Sequence, residues 1–330
     1  MSPPRVLSTP PNRRRAVLAL GFWVFVIVFP NTVGVGCSIK QDSPLADPSA
    51  TAWLATETST PALTAKPSPT ARPSITTLTS ALLTATVAPT ETPTPTPRSQ
   101  EFFIIGFSVG GRPLEVYQFG SGPSERLIVA GIHGGNEWNT IALADELIAH
   151  LQAHPEIIPG DVTLYILHDL NPDGEARDHG PEGRTNDHGM DLNRNWPANW
   201  QAEWAEEGCW TLRPVSAGKF PVSEPETKAL QLFLQHHEID ALISYHSAAL
   251  GIFPGGLPPD KDSVRLAKAI AAISTYPYPP IDNGCEYTGP LVDWASQQGI
   301  ASLDIELTNH TGTDFDMNLR ILNVFMNWKP

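Results

Sequence analysis

Apolar and polar positions alternate in blocks along residues 102–328. Residues 102–120 hold two short apolar runs broken by Gly110-Gly111 and closed by Gly120, the pattern of a β-hairpin. Residues 126–132 (RLIVAGI), 162–167 and 241–245 are continuous apolar runs of strand length, as expected for strands buried on both faces. Residues 302–307 (SLDIEL) alternate more. Between these runs, 140–154, 224–237, 264–274, 291–298 and 316–328 carry apolar residues at helical spacing. Buried strands alternating with amphipathic helices predict an α/β domain with a largely parallel sheet. In such domains ligands gather at the carboxyl ends of strands. His133, Asn171-Pro172-Asp173-Gly174, His246 and Glu306 all fall there. No internal repeat is visible.

Composition changes the picture for the first 100 residues. Many of the 33 prolines crowd, with Thr, Ala and Ser, into residues 43–97, which hold few large apolar side chains. Such a stretch buries too little surface to offset its ordering entropy, so 38–100 is predicted to be a disordered tether and 101–330 the folded domain. Charge divides along the same line. The first 100 residues carry 8 Lys+Arg and 4 Asp+Glu, and the remainder 13 and 31. An acidic domain lacks the basic footprint of a nucleic-acid binder, and none is expected as a partner.

Arg13, Arg14 and Arg15 precede an apolar run over 16–29, the layout of an export signal; an uncleaved membrane anchor is the alternative. Cys37 follows Gly34-Val35-Gly36 and resembles the lipidated cysteine of bacterial lipoproteins, although Gly34 stands where an aliphatic residue is usual. Residues 1–37 are thus expected to act as a signal peptide or as a lipoprotein signal or membrane anchor, leaving the chain exported and either membrane-anchored on the extracytoplasmic side or secreted. That leaves Cys209 and Cys285, which in an oxidising compartment form either a disulfide or two free thiols.

The chemistry concentrates in a few places. His133-Gly134-Gly135-Asn136-Glu137 ends a strand and opens a helix, so an imidazole and a carboxylate can face one ion. His246, in SYHS, supplies another imidazole from a neighbouring strand end. Two His and one Glu, with a position left for water, suit catalytic zinc. Each of the three taken alone is an ordinary polar residue; the joint placement points to a metal. Arg184, Asn193 and Arg194 gather forked donors in an acidic domain, a set that suits a carboxylate or a developing oxyanion. Glu306 is a carboxylate in an apolar strand, either a satisfied buried acid or a general base tuned by burial.

Taken in order, IGFSVGGRPL, HGGNE, NPDG, GMDLNRNW, SEPET, SYHS, TGPLVDW and IEL resemble the zinc metallocarboxypeptidases of the carboxypeptidase A-like superfamily, in a bacterial secreted or lipoprotein form. The resemblance runs over nearly all of 101–330. It implies an α/β/α sandwich with a mixed, largely parallel central sheet. It implies one zinc ion held by His133, Glu137 and His246, with Arg184 stabilising the oxyanion of the scissile carbonyl. Asn193 and Arg194 would grip a terminal carboxylate, and Glu306 would act as general base and then acid. The implied substrate is a peptide, or a peptidoglycan stem peptide, with a free C-terminus. Two departures stand out. Three residues separate His133 from Glu137 where the family has two. Cys285 occupies the position of the family's substrate-capping tyrosine, with Tyr287 two residues later as its replacement. Val292 matches the position lining the specificity pocket and brings no charge there.

Two rivals belong to other readings of the same residues: a deacylase of N-acyl amino acids, and an inactive wall-binding lipoprotein. Gly106-Phe107-Ser108-Val109-Gly110 also matches G-x-S-x-G, but the nucleophile elbow needs a helix next, and the following residues read as a strand.

Overall fold

The computed structural model describes residues 101–206, 209–210 and 212–330. The expected leader 1–37 with Cys37 and the tether 38–100 lie outside the described residues. The chain enters the fold through an antiparallel hairpin, β1 (Glu101–Phe107) and β2 (Pro113–Gly120). Because a strand follows Gly110, Ser108 is a turn residue; its hydroxyl donates to Asp173 Oδ1 at 2.7 Å.

The parallel centre consists of β3 (Ser124–Val129), β4 (Val162–Leu167), β5 (Ile239–Ser247) and β7 (Ala301–Leu307). A short β6 (Gly251–Pro254) closes one edge and the hairpin the other, both antiparallel, giving the order β1-β2-β4-β3-β5-β7-β6. Helices α1 (Trp138–Ala153), α4 (Lys261–Ala271) and α6 (Phe315–Asn327) supply apolar side chains to one core, including Leu147, Leu266 and Phe325. On the opposite face α3 (Pro225–His236) and α5 (Leu291–Gln297) build a second core around Leu230, Trp196 and Trp294. The expected α/β/α sandwich is present.

Each strand divides its side chains between these cores. In β3, Ile128 joins the first core while Leu127 and Val129 join the second, which is why the run reads as continuously apolar. In β7, Leu303, Ile305 and Leu307 enter the first core, and Ser302, Asp304 and Glu306 share the other face. Burying each such Leu or Ile contributes about 1.5–3 kcal/mol. Buried Arg126 ties α6 to the sheet, reaching Phe325 O at 3.3 Å, Trp328 O at 2.7 Å and Asp240 Oδ2 at 2.8 Å.

Two short elements escape the periodicity. The tetrapeptide of β6 is too brief to show one, and α2 (Pro172–Arg177) spans six residues. The NPDG stretch is the start of α2: the Asn171 side chain accepts from Gly174 N at 3.0 Å, and Pro172 occupies the first turn, where its missing N–H costs nothing. The strand expected to reach Ile132 stops at Val129, because the chain turns at Gly131 with φ +65°.

Candidate metal centre

The ends of β3 and β5 bring His133, Glu137 and His246 together, all three buried. After β3 a single 3-10 turn over Gly134–Glu137 leads into α1 and absorbs the third intervening residue. Gly134 has φ +46°, and a Cβ there would lie 2.8 Å from both Asn171 O and Gly183 O, so this turn admits only glycine. His133 Nδ1 lies 2.7 Å from Glu137 Oε1, and His246 Nδ1 lies 3.1 Å from Glu137 Oε2 and 3.3 Å from His133 Nδ1.

These separations test the fit to zinc. Nitrogen and oxygen ligands at about 2.0–2.2 Å in a tetrahedral shell stand about 3.3 Å apart, close to the spacing seen. Nitrogen, nitrogen and carboxylate is also a donor set zinc prefers at catalytic sites. The residues fit one Zn2+. Burial alone would raise the Glu137 carboxyl, but the two imidazoles bring it below the usual carboxylate range. Burial would lower the His246 pKa, yet Asp304 and Glu137 hold it well above that of free imidazole. The pair of acids thus favours positive charge at this point.

Behind the ligands stands Asp191, which sequence reasoning passed over. Its Oδ1 lies 3.2 Å from His133 Nε2, and its Oδ2 accepts from Arg184 Nε at 2.9 Å with the terminal nitrogen at 2.8 Å. A carboxylate on the outer nitrogen fixes a ligand ring and its tautomer. Asp191 therefore sets one metal ligand and Arg184 together. Its pKa falls well below normal because the Arg184 charge, followed by His133, overcomes burial. The outer nitrogen of His246 lies 3.1 Å from Ser244 Oγ.

The three ligands open onto a cleft of about 780 Å³ that is also lined by Arg184, Asn193, Arg194, Tyr287, Val292 and Glu306. Every site residue expected from sequence in the folded domain is therefore gathered there. Arg184 is stacked on Trp210 at 4.3 Å, and Arg194 on Trp204 at 4.6 Å, with the Tyr287 ring at 5.7 Å. Arg194 is 3% exposed. Among the described residues it has no carboxylate within ion-pair distance; its polar contacts are Asn193 O at 2.9 Å and Cys285 Sγ at 4.0 Å, and its Nε is unbonded. Burial depresses its pKa, partly offset by Asp191. Asn193 Oδ1 accepts from Leu291 N at 2.9 Å, at the head of α5.

Glu306 Oε2 accepts from Ala249 N at 2.9 Å. Burial pushes this carboxyl up to about 7, against the His246 charge. Of the alternatives left open for the cysteines, the disulfide is the one formed: Cys209 and Cys285 are bonded at the rim of the same cleft. The bond joins the segment carrying Trp204 and Trp210 to the one carrying Tyr287.

A family model described as zinc carboxypeptidase matches residues 91–320. Carboxypeptidase A1 of Sus scrofa is 30% identical over 229 residues, covering 59% of this chain and 54% of the relative. Carboxypeptidase A6 of Mus musculus is 29% identical over 251 residues, covering 64% and 56%. The chain thus spans about half the length of the curated relatives it matches. Bovine thrombin-activatable fibrinolysis inhibitor, solved in complex with tick carboxypeptidase inhibitor, shares the fold with a TM-score of 0.56 at 22% identity, over 70% of this chain and 89% of that one. Murein-tripeptide amidase MpaA from Escherichia coli O157 does so with a TM-score of 0.51 at 22% identity, over 69% and 92%.

Proposed function

Since the chain belongs to the zinc carboxypeptidase family, we propose that it removes the C-terminal residue of peptides by hydrolysis and requires a free terminal carboxylate. The observation that carries this reading is Arg194. A buried guanidinium without a counter-ion is costly, and this one faces the cleft that holds the His133, Glu137, His246 triad. An incoming carboxylate supplies the missing charge, and a planar fork suits it. Asn193, its carbonyl engaged by Leu291 N and its amide nitrogen 3.4 Å from His246 Nε2, has a second amide N–H for the same carboxylate.

His133, Glu137 and His246 would hold the Zn2+, which would supply Lewis acidity toward the scissile carbonyl and toward water. Glu306 takes the proton from the attacking water; a carboxyl raised toward neutrality is matched to that task. Arg184 donates to the carbonyl oxygen as it gains charge, a contribution of about 3–4 kcal/mol for such a donor. Asp191 keeps that guanidinium aimed. Glu306 then returns the proton to the leaving amine. Tyr287 and Val292 line the space for the released residue. Export is part of the same reading, and the Cys209–Cys285 disulfide supports it, since such bonds persist in oxidising compartments.

The test compares paired peptides with free and amidated C-termini, using the zinc-loaded protein and Glu306→Gln. The expected result is cleavage of the free form alone, with kcat reduced at least a thousandfold in the variant. Equal cleavage of amidated peptides would refute the Arg194 clamp. Turnover of N-acyl amino acids without turnover of peptides would replace the reading with the deacylase.

A further inference from the structure

The loop after β7 brings to the cleft a histidine that the steps above leave unused. His310 is exposed and lines the cavity that holds the triad. The loop around it is cross-braced. Asn309 Oδ1 accepts from Thr311 N at 2.8 Å and from Gly312 N at 2.7 Å, and Asp314 Oδ2 accepts from Thr308 N at 2.9 Å. From beneath, the buried Asn139 of α1 donates through Nδ2 to Asn309 O at 2.7 Å and to Gly312 O at 2.9 Å. A side chain on such a loop is held in place before anything binds.

These bonds also fix the state of the ring. Both amide hydrogens of Asn139 are spent on carbonyls, so its Oδ1 can only accept, and it takes the Ser247 hydroxyl at 2.9 Å. Ser247 has a single hydroxyl proton. Its oxygen, 3.1 Å from His310 Nδ1, must therefore accept from that nitrogen. Nδ1 carries the proton, and in the neutral ring Nε2 keeps a free lone pair. Among the described residues Nε2 has no hydrogen-bond or ion-pair partner.

The sheet places this acceptor relative to the arginines. Side chains alternate along β5, so His246 and Ser247 point to opposite faces. Ser247 stands opposite Leu307 of β7, whose side chain enters the core that α1 covers. His310 thus lies on the α1 side of the sheet edge. Asn193 and Arg194 lie on the other side, where Asn193 accepts from the head of α5. The triad stands between them, at the ends of β3 and β5. A peptide with its terminal carboxylate on Arg194 and its scissile carbonyl at the triad must send its remaining chain over the edge toward α1. That chain offers a main-chain N–H at each residue other than proline, and a fixed lone pair suits such a donor.

Resting on the carboxypeptidase reading above, we propose that His310 is a further substrate-binding residue, whose Nε2 accepts a main-chain N–H of the peptide upstream of the scissile bond. Because it reads backbone, the contact favours longer peptides over single acylated residues, whatever their side chains.

The experiment uses an acetyl-capped tripeptide and two analogues. In these the N–H of the first or of the second residue is replaced by an ester oxygen, which removes a donor and adds no bulk. Zinc-loaded wild type and His310→Ala are compared for kcat and KM on all three. Wild type is expected to lose about fivefold in kcat/KM on one of the two analogues, through KM, the size of one neutral hydrogen bond. His310→Ala is expected to lose as much on the parent peptide and to treat that analogue and the parent alike within twofold. Wild type that cleaves all three alike would overturn the proposal. So would an analogue loss that persists in His310→Ala, or a variant slowed equally on all three through kcat, which would mark the histidine as a support for its loop. If wild type cleaves no peptide, the same comparison is read from binding by calorimetry. Coupling between His310 and one N–H then keeps this assignment while the hydrolytic reading falls; without coupling both fall.

Discussion

Single side chains in this protein do two jobs when two elements meet at them. Asp191 is the clearest case, holding a metal ligand with one oxygen and Arg184 with the other. Nothing in GMDLNRNW marks this Asp above its neighbours, because its partners are remote or face it only after folding. The candidate ligands were legible, since His133 and Glu137 share a turn and His246 ends a strand. Asp169 shows the opposite electrostatic case. Buried behind Gly131, it accepts from Asn171 N at 2.9 Å, and burial holds its carboxyl at about 8 against the pull of His168. The folded state then binds a proton that the unfolded chain releases above about pH 4, so stability falls as pH rises between these values and levels off above 8. Denaturant titrations from pH 5 to 8 should show a loss on the order of 1 kcal/mol per pH unit from this group. Asp169→Asn should remove that share of the slope and be the more stable protein at pH 8. An unchanged slope in the variant would count against a neutral Asp169.

At the scale of elements, the strands were easier to read than the walls of the cleft. The strand of 162–167 falls where its apolar run predicts it, as β4, since both of its faces are buried. The alternation in SLDIEL also proved informative: its apolar members fill one core, and two of its polar members, Asp304 and Glu306, line the cleft. What sequence left open was the fate of the two cysteines. Their bond closes a separation of 76 residues and clamps the Trp204, Trp210 and Tyr287 segments. Loop-closure entropy for such a span is worth about 4–5 kcal/mol. Replacing both cysteines by Ser should therefore lower Tm by several degrees. It should also raise KM more than it lowers kcat, because Cys285 and the tryptophans flank the two arginines rather than the metal. Thermal unfolding and steady-state kinetics on one preparation separate the two effects, and an unchanged Tm would deny the bond a structural role.

For the molecule as a whole, metal and fold are coupled. The ligands come from the turn after β3 and from β5, so an ion that binds only the folded arrangement stabilises the domain by mass action. Removing zinc with a chelator should lower Tm by several degrees and abolish hydrolysis, and added zinc should restore both; a Tm indifferent to the ion would place the metal elsewhere. The sequence by itself determined the α/β class, the approximate positions of the principal strands and helices, and the residue types able to hold a metal. These follow from local periodicity and from chemistry carried by short segments. Only the tertiary structure decided that Cys209 meets Cys285, that Asp191 serves two masters, that Arg194 is buried without a counter-ion among the described residues, and that Asp304 stands behind His246. Each of these is a relation between residues far apart in the chain, and burial, pairing and field at a point exist only once packing has brought those residues to it.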